Sequence, residues 1–382
     1  MLTLAPEELV ALVRSVFPRF ETDKALAILV DVPRRAELDN PAWRERRRLA
    51  YEWYVLLEAR KQEIPLAEVN LVAYPDVGSN NADLPANGFL LNGPTPDVAA
   101  DLEPAGKRVG FDQVFSTTQL FLAPTEFSTT APLKVAARRH GFRAATMPGF
   151  AASMIPALRI DYGEVARRVE ALQARLSEAD HADISFAVDG KNDYDLHFDL
   201  RHRAAHASSG RFPELGTAGN LPSGEAYIVP YEGEAGEESL TAGMLPVEIN
   251  GELVLFAIRA NRAVKVNGRG KAARAERAHR AAEPAYGNMA GLGFGVLADF
   301  GLEPIGEILL DEKLGLHIAF GRSEHFGGIV GPKEFSSAAA VIHLDRIYIP
   351  QAQPRIAVNS VVLGYADGRS ETVMAKGAYT IF

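Results

Sequence analysis

The first 150 residues of the chain alternate between apolar runs with the length of a buried strand and segments with the periodicity of a helix. The strand-like runs are residues 25–32, 69–74, 114–123 and 142–147, and the helical segments are residues 7–17, 41–61 and 128–140. Strand–helix–strand units of this length are typical of a parallel sheet covered by helices. Residues 76–106, rich in Gly, Pro, Asn and Asp, are predicted to form a long loop.

The pattern changes after a helix predicted at residues 161–176, which Asp161 can cap. Short alternating strands follow, and Asn250-Gly251 between two of them is the strongest short signal for a hairpin. A basic helix is predicted at residues 271–282.

These segments predict an α/β fold class with two domains. The first is a parallel-sheet α/β domain over residues 1–160, and the second is a β-rich α+β domain over residues 161–382. At 382 residues the chain is long enough to bury a substantial core in each domain.

The amino-acid composition excludes several classes of function. The chain has no cysteine, which excludes disulfides, thiol nucleophiles, cysteine zinc sites and iron–sulfur clusters. The net charge of −9 argues against a broad nucleic-acid surface. The first residues lack a secretory signal pattern, and no apolar stretch reaches about 18 residues. We therefore expect a cytoplasmic protein that binds neither nucleic acid nor membrane.

His343 and Asp345 form the most informative pair. Residues 338–349 are apolar enough for a strand, and residues i and i+2 of a strand point to the same face. An imidazole and a carboxylate side by side suit two ligands of one metal ion, or a histidine with the carboxylate that orients it. A surface ion pair or a satisfied core histidine is the alternative.

Two further positions complete a candidate donor set. His317 opens an apolar stretch that ends at Gly321, while Asp311 and Glu312 just before it are expected to be solvated turn residues. Glu225 follows a Pro-Ser-Gly turn and begins a predicted strand, which places its carboxylate firmly. Two histidines and two carboxylates without cysteine suit Zn²⁺, Mn²⁺, Co²⁺ or Fe²⁺, so the second domain is predicted to bind metal.

Other catalytic signatures are missing from the sequence. It has no Gly-x-Ser-x-Gly elbow of serine hydrolases and no phosphate-binding loop ending in Gly-Lys-Ser or Gly-Lys-Thr. The glycines at 291, 293 and 295 do not match a dinucleotide fingerprint. We interpret them as a turn or a close-packing segment.

Between about residues 115 and 350 the sequence resembles the aminopeptidase T-like metallo-aminopeptidases, the thermophilic leucyl aminopeptidases. The blocks that carry the resemblance are Thr-Met-Pro-Gly at 146–149, Asp-Tyr at 161–162, Gly-Asn-Leu-Pro-Ser-Gly-Glu at 219–225, Asp-Glu-Lys at 311–313, His-Ile-Ala-Phe-Gly at 317–321, Phe-Gly-Gly at 326–328 and Ile-His-Leu-Asp at 342–345. The first hundred residues match poorly. The order and spacing of the blocks carry the resemblance rather than any single one.

The resemblance implies a two-metal centre, an N-terminal α/β domain and a homodimer. The implied metal ligands are Glu225, Asp299, His317, His343 and Asp345. Asp299 stands where the family has a longer glutamate. Glu324 stands where the family has a tyrosine that helps at the site, and Tyr227, Tyr286 and Tyr348 are possible substitutes.

Two reactions fit this constellation. A hydrolase, namely an aminopeptidase that cleaves N-terminal residues, would use two Zn, Co or Mn ions to activate water, with Glu225 as a bridging ligand or a proton shuttle. The alternative comes from the related dihydroxypyridine dioxygenases, in which one Fe(II) would be held by His317, His343 and Asp345. Glu225 favours the hydrolase because a three-ligand iron site does not need it.

Three charged groups could also contribute to the site. The acidic run at Glu232, Glu234, Glu237 and Glu238 could bind a substrate amine, but a solvated loop is favoured. The basic helix near residues 269–280 could clamp a carboxylate, but a solvated face is favoured. His197, His202 and His206 could approach the site, but an exposed polar turn is favoured.

Overall fold

The computed structural model describes residues 3–337 and 340–382. Its α-helices are α1 Pro6–Val16, α2 Pro41–Ala59, α3 Leu102–Ala105, α4 Phe111–Thr117, α5 Thr130–His140, α6 Tyr162–Glu178, α7 Lys271–Ala282 and α8 Ile308–Asp311. Within the described ranges no helix has both the length and the apolar character needed to cross a membrane.

The β-strands form three sheets. They are β1 Ala25–Val32, β2 Glu68–Pro75, β3 Asn87–Leu91, β4 Gly106–Gly110, β5 Leu120–Ala123, β6 Arg143–Thr146, β7 Ala179–Val188, β8 Asn192–Asp199, β9 His206–Ser208, β10 Ala218–Asn220, β11 Glu225–Ile228, β12 Ala242–Ile249, β13 Glu252–Arg259, β14 Arg262–Asn267, β15 Met289–Gly295, β16 Leu316–Gly321, β17 His343–Ile347, β18 Ile356–Tyr365, β19 Ser370–Ala375 and β20 Ala378–Tyr379.

The chain divides into two compact units. The first comprises the chain up to Ala166 together with Ser208–Gly224 and Ile305–Leu310, and the second comprises Arg167–Ala207, Glu225–Pro304 and Asp311–Phe382. The domain limits of the sequence analysis, 1–160 and 161–382, stay predictions.

The first unit contains a seven-stranded sheet in the order β10-β6-β5-β1-β2-β3-β4. The first five strands of that order run parallel, and β3 and β4 continue the sheet antiparallel. Every residue of β1 is buried, Asp31 included, which explains why the rest of the strand is apolar. The predicted parallel sheet and the α/β fold class are confirmed.

The prediction of a strand at residues 114–123 is wrong in its first half. Phe111, Val114 and Phe115 are spaced as on one helical face, and they form helix α4 before β5 begins. Phe115 packs against Phe121 of β5 and against Phe142, with ring centroids 5.7 and 5.1 Å away. Tertiary burial of this aromatic cluster therefore selects a helix where the apolar run alone suggested a strand.

The predicted long loop at residues 76–106 is also corrected. It contains β3, which pairs with β2 through Leu71 and Leu91, and the short helix α3. Antiparallel extension of a parallel sheet needs no crossover helix, so its signal in the sequence is weak.

The second unit is built around two further sheets. An eight-stranded antiparallel sheet has the order β14-β13-β12-β8-β7-β18-β19-β20, and a five-stranded sheet has the order β17-β16-β15-β11-β9. The predicted hairpin joins β12 to β13, and Asn250 and Gly251 have the positive φ values of 52° and 77° that such a two-residue turn requires. The predicted strand 338–349 is shorter than expected: only His343–Ile347 pair as β17, and residues 338–339 lie outside the described residues.

Candidate functional site

One face of the five-stranded sheet carries four of the five predicted ligands. His317 on β16 lies directly opposite Ile347 on β17, and Asp345 lies opposite Ala319. Directly opposed residues of antiparallel strands share a face, and side chains two apart on a strand do so too. His317, His343 and Asp345 therefore project from the same face. Asp345 is displaced by two residues from each histidine along the strands.

Glu225 joins this face from the other side of β15. It lies opposite Gly295, and Tyr227 lies opposite Gly293, which in turn lies opposite His317. The short turn before β11 starts the strand at Glu225, as predicted.

Glycines of β15 make room between the two groups of ligands. A methyl group on Gly293 would stand 1.9 Å from Nε2 of His317, and one on Gly295 would stand 2.1 Å from the backbone carbonyl carbon of Lys313. The glycines at 291, 293 and 295 thus form a strand and not a turn. Their lack of side chains lets His317 and Lys313 lie against the sheet.

The carboxylate of Glu225 is buried between the side chains of Lys313 and His317. Its Oε1 accepts a hydrogen bond of 2.6 Å from Nζ of Lys313. Its Oε2 lies 3.3 Å from Nε2 of His317. Only 8% of the residue is exposed, so this carboxylate depends on protein groups rather than on water.

Glu312 and Lys313 are the site residues whose role the sequence did not indicate. They lie in a single 3₁₀ turn, Glu312–Leu314, immediately before β16. The side chain of Lys313 is 2% exposed and forms ion pairs with both Glu225 and Glu312. The expectation that Glu312 is a solvated turn residue is wrong, because its side chain is 17% exposed and holds this buried ammonium.

The charges of this cluster act on one another. Burial raises the pKa of Glu312, and the negative charges of Glu225 and Asp345 add to the shift, so that the pKa is about 7 although Lys313 opposes the increase. Burial by itself would lower the pKa of Lys313, but Glu225 and Glu312 hold that pKa above its usual value. The ammonium therefore stays charged, whereas the cluster as a whole has more carboxylates than it can neutralise.

Both histidines are oriented by backbone carbonyls. Nδ1 of His343 lies 2.7 Å from the carbonyl oxygen of Arg322, and Nδ1 of His317 lies 3.3 Å from that of Gly315. A carbonyl only accepts, so each Nδ1 donates, and Nε2 is the ring nitrogen that faces a carboxylate. Metal-binding histidines are held in this way.

The donors are arranged as two pairs. Nε2 of His343 lies 3.7 Å from Oδ1 of Asp345, and Nε2 of His317 faces Glu225. In the part of the chain that the structure describes, no three His, Asp or Glu side chains are grouped so that they could hold one metal ion together. Each pair nevertheless offers a cation one imidazole nitrogen and one carboxylate oxygen, and the excess of carboxylates is of the sign that a cation would neutralise.

Asp299 is not brought into these pairs. It lies in the 3₁₀ turn Leu297–Phe300, and its carboxylate accepts a hydrogen bond of 2.7 Å from Arg168. Burial raises the pKa of Asp299 although Arg168 opposes the shift. The assignment of Asp299 as a metal ligand stays a prediction.

Of the three tyrosines considered as substitutes, Tyr227 is the one placed beside the cluster. Burial, and then the charge of Glu225, raise the pKa of its hydroxyl. Tyr348 instead donates to the carbonyl of Pro246, and Tyr286 packs against His279. Glu324, at the tyrosine position of the family, forms an ion pair with Arg322.

Tyr379 was missed by sequence reasoning. Its hydroxyl donates a 2.8 Å hydrogen bond to the carbonyl of Gly295, and its pKa is raised by burial and by the charges of Asp299 and Glu225. Its position near the end of the chain, with no motif around it, left no signal that could have found it.

Some of the remaining charged groups have partners within the protein, and others are exposed to solvent. Glu232 is not part of a solvated loop: its carboxylate accepts hydrogen bonds of 2.6 Å from Ser323 and from Asn288. Arg280 of the basic helix is buried against Glu276 and Phe256. The other members of the acidic run, Glu234, Glu237 and Glu238, are exposed.

Each of the three clustered histidines has a defined partner in the second unit. His197 lies 2.7 Å from Asp183, and His206 stacks on Tyr227 with a centroid distance of 5.3 Å. His206 therefore approaches the site face through Tyr227, while His202 contacts Tyr231.

Comparison with known proteins gives the fold and no family. No model of a protein family matches the chain, and no curated protein matches its sequence. A solved structure of 2,5-dihydroxypyridine dioxygenase from Pseudomonas putida KT2440 is similar to it with a TM-score of 0.60 at 15% identity, covering 99% of each chain. Wild-type AmpT from Thermus thermophilus is similar with a TM-score of 0.51 at 16% identity, covering 98% of this chain and 99% of that one. At these identities the likeness establishes a shared fold.

Proposed function

We propose that the protein is a metal-dependent hydrolase that removes N-terminal residues from short peptides. The observation that carries this proposal is the position of Glu225, whose carboxylate lies 3.3 Å from His317 inside the cluster. Hydrolysis needs a base that takes a proton from water, whereas a two-histidine, one-carboxylate iron site needs three ligands and no further glutamate. The names of both structural neighbours, an aminopeptidase T and a dioxygenase, are consistent with an enzyme.

The ligands proposed for divalent cations are His317, His343 and Asp345, arranged in two separate pairs in which Glu225 faces His317 and Asp345 faces His343. The donor chemistry fits Zn²⁺, Mn²⁺ or Co²⁺, because a backbone carbonyl holds Nδ1 of each imidazole and Nε2 faces a carboxylate. A bound cation of this kind supplies acidity to water and polarises a carbonyl group.

The protein's own residues supply binding and proton transfer. Oε2 of Glu225 accepts the proton of the attacking water, while the hydrogen bond from Lys313 to Oε1 holds the carboxylate in place. The negative charge of Glu225, Glu312 and Asp345 favours a substrate with a free amino terminus. Tyr227 and His206 line the same side of the sheet and offer aromatic surface to a side chain of the substrate.

A ring-cleaving dioxygenase with one Fe(II) is the second candidate. It is favoured by the shared face of His317, His343 and Asp345, which are the residue types of an oxygenase triad. In this case the substrate would be a dihydroxypyridine-like aromatic.

An activity assay distinguishes the two candidate functions, since both would use the same site residues. The protein is freed of metal, loaded separately with Zn²⁺, Mn²⁺, Co²⁺ or anaerobic Fe²⁺, and assayed for release of leucine from a leucyl dipeptide. Oxygen uptake is measured with 2,5-dihydroxypyridine. Peptide hydrolysis with Zn²⁺, Mn²⁺ or Co²⁺ is expected, and oxygen uptake with Fe²⁺ alone would overturn the proposal. His343→Ala should abolish either activity, which ties it to this site.

A further inference from the structure

The carboxylate of Glu232 is a buried acceptor that the proposed reaction does not use. Its side chain is only 3% exposed. Oε1 accepts hydrogen bonds of 2.6 Å from the hydroxyl of Ser323 and from the side-chain amide of Asn288. Oε2 accepts from the backbone amide of Ile329 and lies 3.5 Å from the guanidinium of Arg203. A buried carboxylate with donors on both oxygens is held in one position.

Two of these partners are tied to the backbone on either side of the carbonyl that orients His343. The side-chain amide of Asn288 donates 3.1 Å to the carbonyl of Gly321, whose own amide donates 2.9 Å to the carbonyl of Asn288. Arg322 stands between Gly321 and Ser323, and its carbonyl oxygen lies 2.7 Å from Nδ1 of His343. The residues before and after Arg322 are therefore both linked to the same buried carboxylate.

The direction of this carbonyl is set beyond the regular part of the sheet. Strand β16 ends at Gly321, whose φ of 100° turns the chain. The peptide that joins Arg322 to Ser323 is held on its amide side by a 2.9 Å hydrogen bond to the carbonyl of Val330. The hydroxyl of Ser323 adds the bond to Glu232, and a bond to a charged acceptor is stronger than one between neutral groups.

We propose that Glu232 is a positioning residue for His343. By fixing Gly321 and Ser323, it holds the Arg322 carbonyl in place and thereby the orientation of the imidazole. The proposal rests on the proposed function, in which His343 is a metal ligand, and it adds a residue that touches neither metal nor substrate.

His317 offers a control within the same sheet. The carbonyl facing its Nδ1 belongs to Gly315, which precedes β16, whereas the Arg322 carbonyl follows the end of that strand. Loss of the Glu232 contacts should therefore release His343 and leave His317 oriented as before. A general loss of structure would instead change both rings.

The test is nuclear magnetic resonance of metal-free protein with isotope-labelled histidine nitrogens. Long-range correlations from the carbon-bound ring protons report whether Nδ1 carries a proton, and His317→Gln and His343→Gln assign the signals. We expect both rings of the wild type to carry a proton on Nδ1. In Glu232→Ala, the Nδ1 signal of His343 should move away from that of a protonated nitrogen, while the signal of His317 stays unchanged.

Each outcome decides the role of Glu232 without an activity assay. An unchanged His343 in folded Glu232→Ala, or equal changes at both histidines, would overturn the proposal, as would a wild-type His343 without a proton on Nδ1. The control Asp199→Asn alters another buried carboxylate of the unit and should move neither signal.

Ser323→Ala replaces Glu232→Ala if circular dichroism shows that the latter does not fold. It removes the direct link to the carboxylate, and a change at His343 alone again supports the proposal, whereas no change or a change at both histidines contradicts it. A wild type without peptidase activity would overturn the proposed function, and the histidine signals would still decide whether Glu232 orients His343.

Discussion

Each unit of the protein buries carboxylates, but it satisfies them in different ways. In the first unit, Asp31 on β1 accepts hydrogen bonds of 2.8, 3.0 and 3.0 Å from the amides of Glu126 and Phe127 and from the indole of Trp43. In the second unit, Glu225 is held by the ammonium of Lys313 and faces His317.

The two environments suit different roles: Asp31 stabilises the fold, whereas Glu225 is proposed to take part in the reaction. Neutral N–H donors of the backbone join Asp31 to the segment that follows β5, and the carboxylate has no exposed surface left for a ligand. The groups around Glu225 are themselves charged or able to bind a cation, and they include more negative than positive charge. Burial raises the pKa of Asp31 to about 6 and that of Glu312 to about 7, so a raised pKa alone does not distinguish the two regions.

The largest effect is expected for Glu225→Gln. Removing the proton acceptor should lower kcat of peptide hydrolysis by about 10²–10⁴-fold, the usual contribution of a general base. The matched control is Asp199→Asn, which alters a buried carboxylate of the same unit that pairs with Arg201. Steady-state kinetics at saturating metal compare the two variants. Equal losses of kcat would remove the distinction between the cluster and an ordinary buried ion pair.

Lys313→Met should destabilise the metal-free protein by about 3–5 kcal/mol, because it leaves Glu225 and Glu312 buried without a cation. Lys265→Met, on the exposed side of β14, should change the free energy of unfolding by less than about 0.5 kcal/mol. Urea unfolding followed by circular dichroism in the presence of a chelator measures both. Added Zn²⁺ should recover part of the loss in Lys313→Met and none in the control.

A pair of glycine substitutions tests the contact beneath His317. In Gly293→Ala the new methyl group must displace the imidazole from a distance of 1.9 Å, whereas in Gly291→Ala its nearest neighbour is Cβ of Ala319 at 3.4 Å. We expect Gly293→Ala to cost about 1–3 kcal/mol of stability and to weaken metal binding at least about tenfold. Calorimetric titration with Zn²⁺ should show near-normal affinity for Gly291→Ala, and a similar loss in both variants would count against the packing argument.

The smallest effect concerns Asp31 in the first unit. Asp31→Asn replaces one acceptor oxygen by a donor that faces an amide N–H, at a cost of about 1–3 kcal/mol at pH 4. Since the folded-state pKa of about 6 exceeds the ordinary 3.8, the unfolded chain loses its proton first as pH rises. The wild type therefore loses stability between about pH 4 and pH 6, by about 3 kcal/mol, and the variant lacks this decrease.

Tryptophan fluorescence makes this measurement specific to the first unit. Both tryptophans of the chain, Trp43 and Trp53, lie in α2, and Trp43 donates directly to Asp31. Urea unfolding at pH 4 and pH 7 should show that the penalty of Asp31→Asn is larger at the lower pH. A penalty that grows with pH would show that Asp31 is stabilised as a charged group, like the carboxylates of the second unit.

Local signals in the sequence were sufficient for much of the fold. The helix at 271–282 and the strand at 25–32 have the predicted bounds, because their apolar spacing and end signals lie within the segments themselves. Asp161 caps α6 by accepting from the amides of Gly163 and Glu164, as expected from its position. Strand β17 is shorter than its apolar run, and Val341 and Ile342 before it pack against Val330 and Phe335.

The candidate site shows where local reasoning stops. His317, His343 and Asp345 could be predicted from residue type and period, and the register places them on one face. Lys313 could not, because its meaning depends on Glu225, which lies 88 residues earlier in the chain and reaches it only through the pairing of β11 with β15. An Asp-Glu-Lys sequence is indistinguishable from a solvated turn until that pairing is known.

The strand that makes room for the site also weakens the unit that contains it. Glycine loses more conformational entropy on folding than alanine, at a cost of about 0.5–1 kcal/mol each in a strand, so Gly291, Gly293 and Gly295 together forgo about 1.5–3 kcal/mol. A strand with nothing packed against it would gain stability from alanine at these positions, but at Gly293 and Gly295 the added methyl group would clash with His317 and Lys313. A directed-evolution search for heat resistance should therefore leave these glycines of β15 unchanged, because an added side chain would fill the space that His317 and Lys313 occupy.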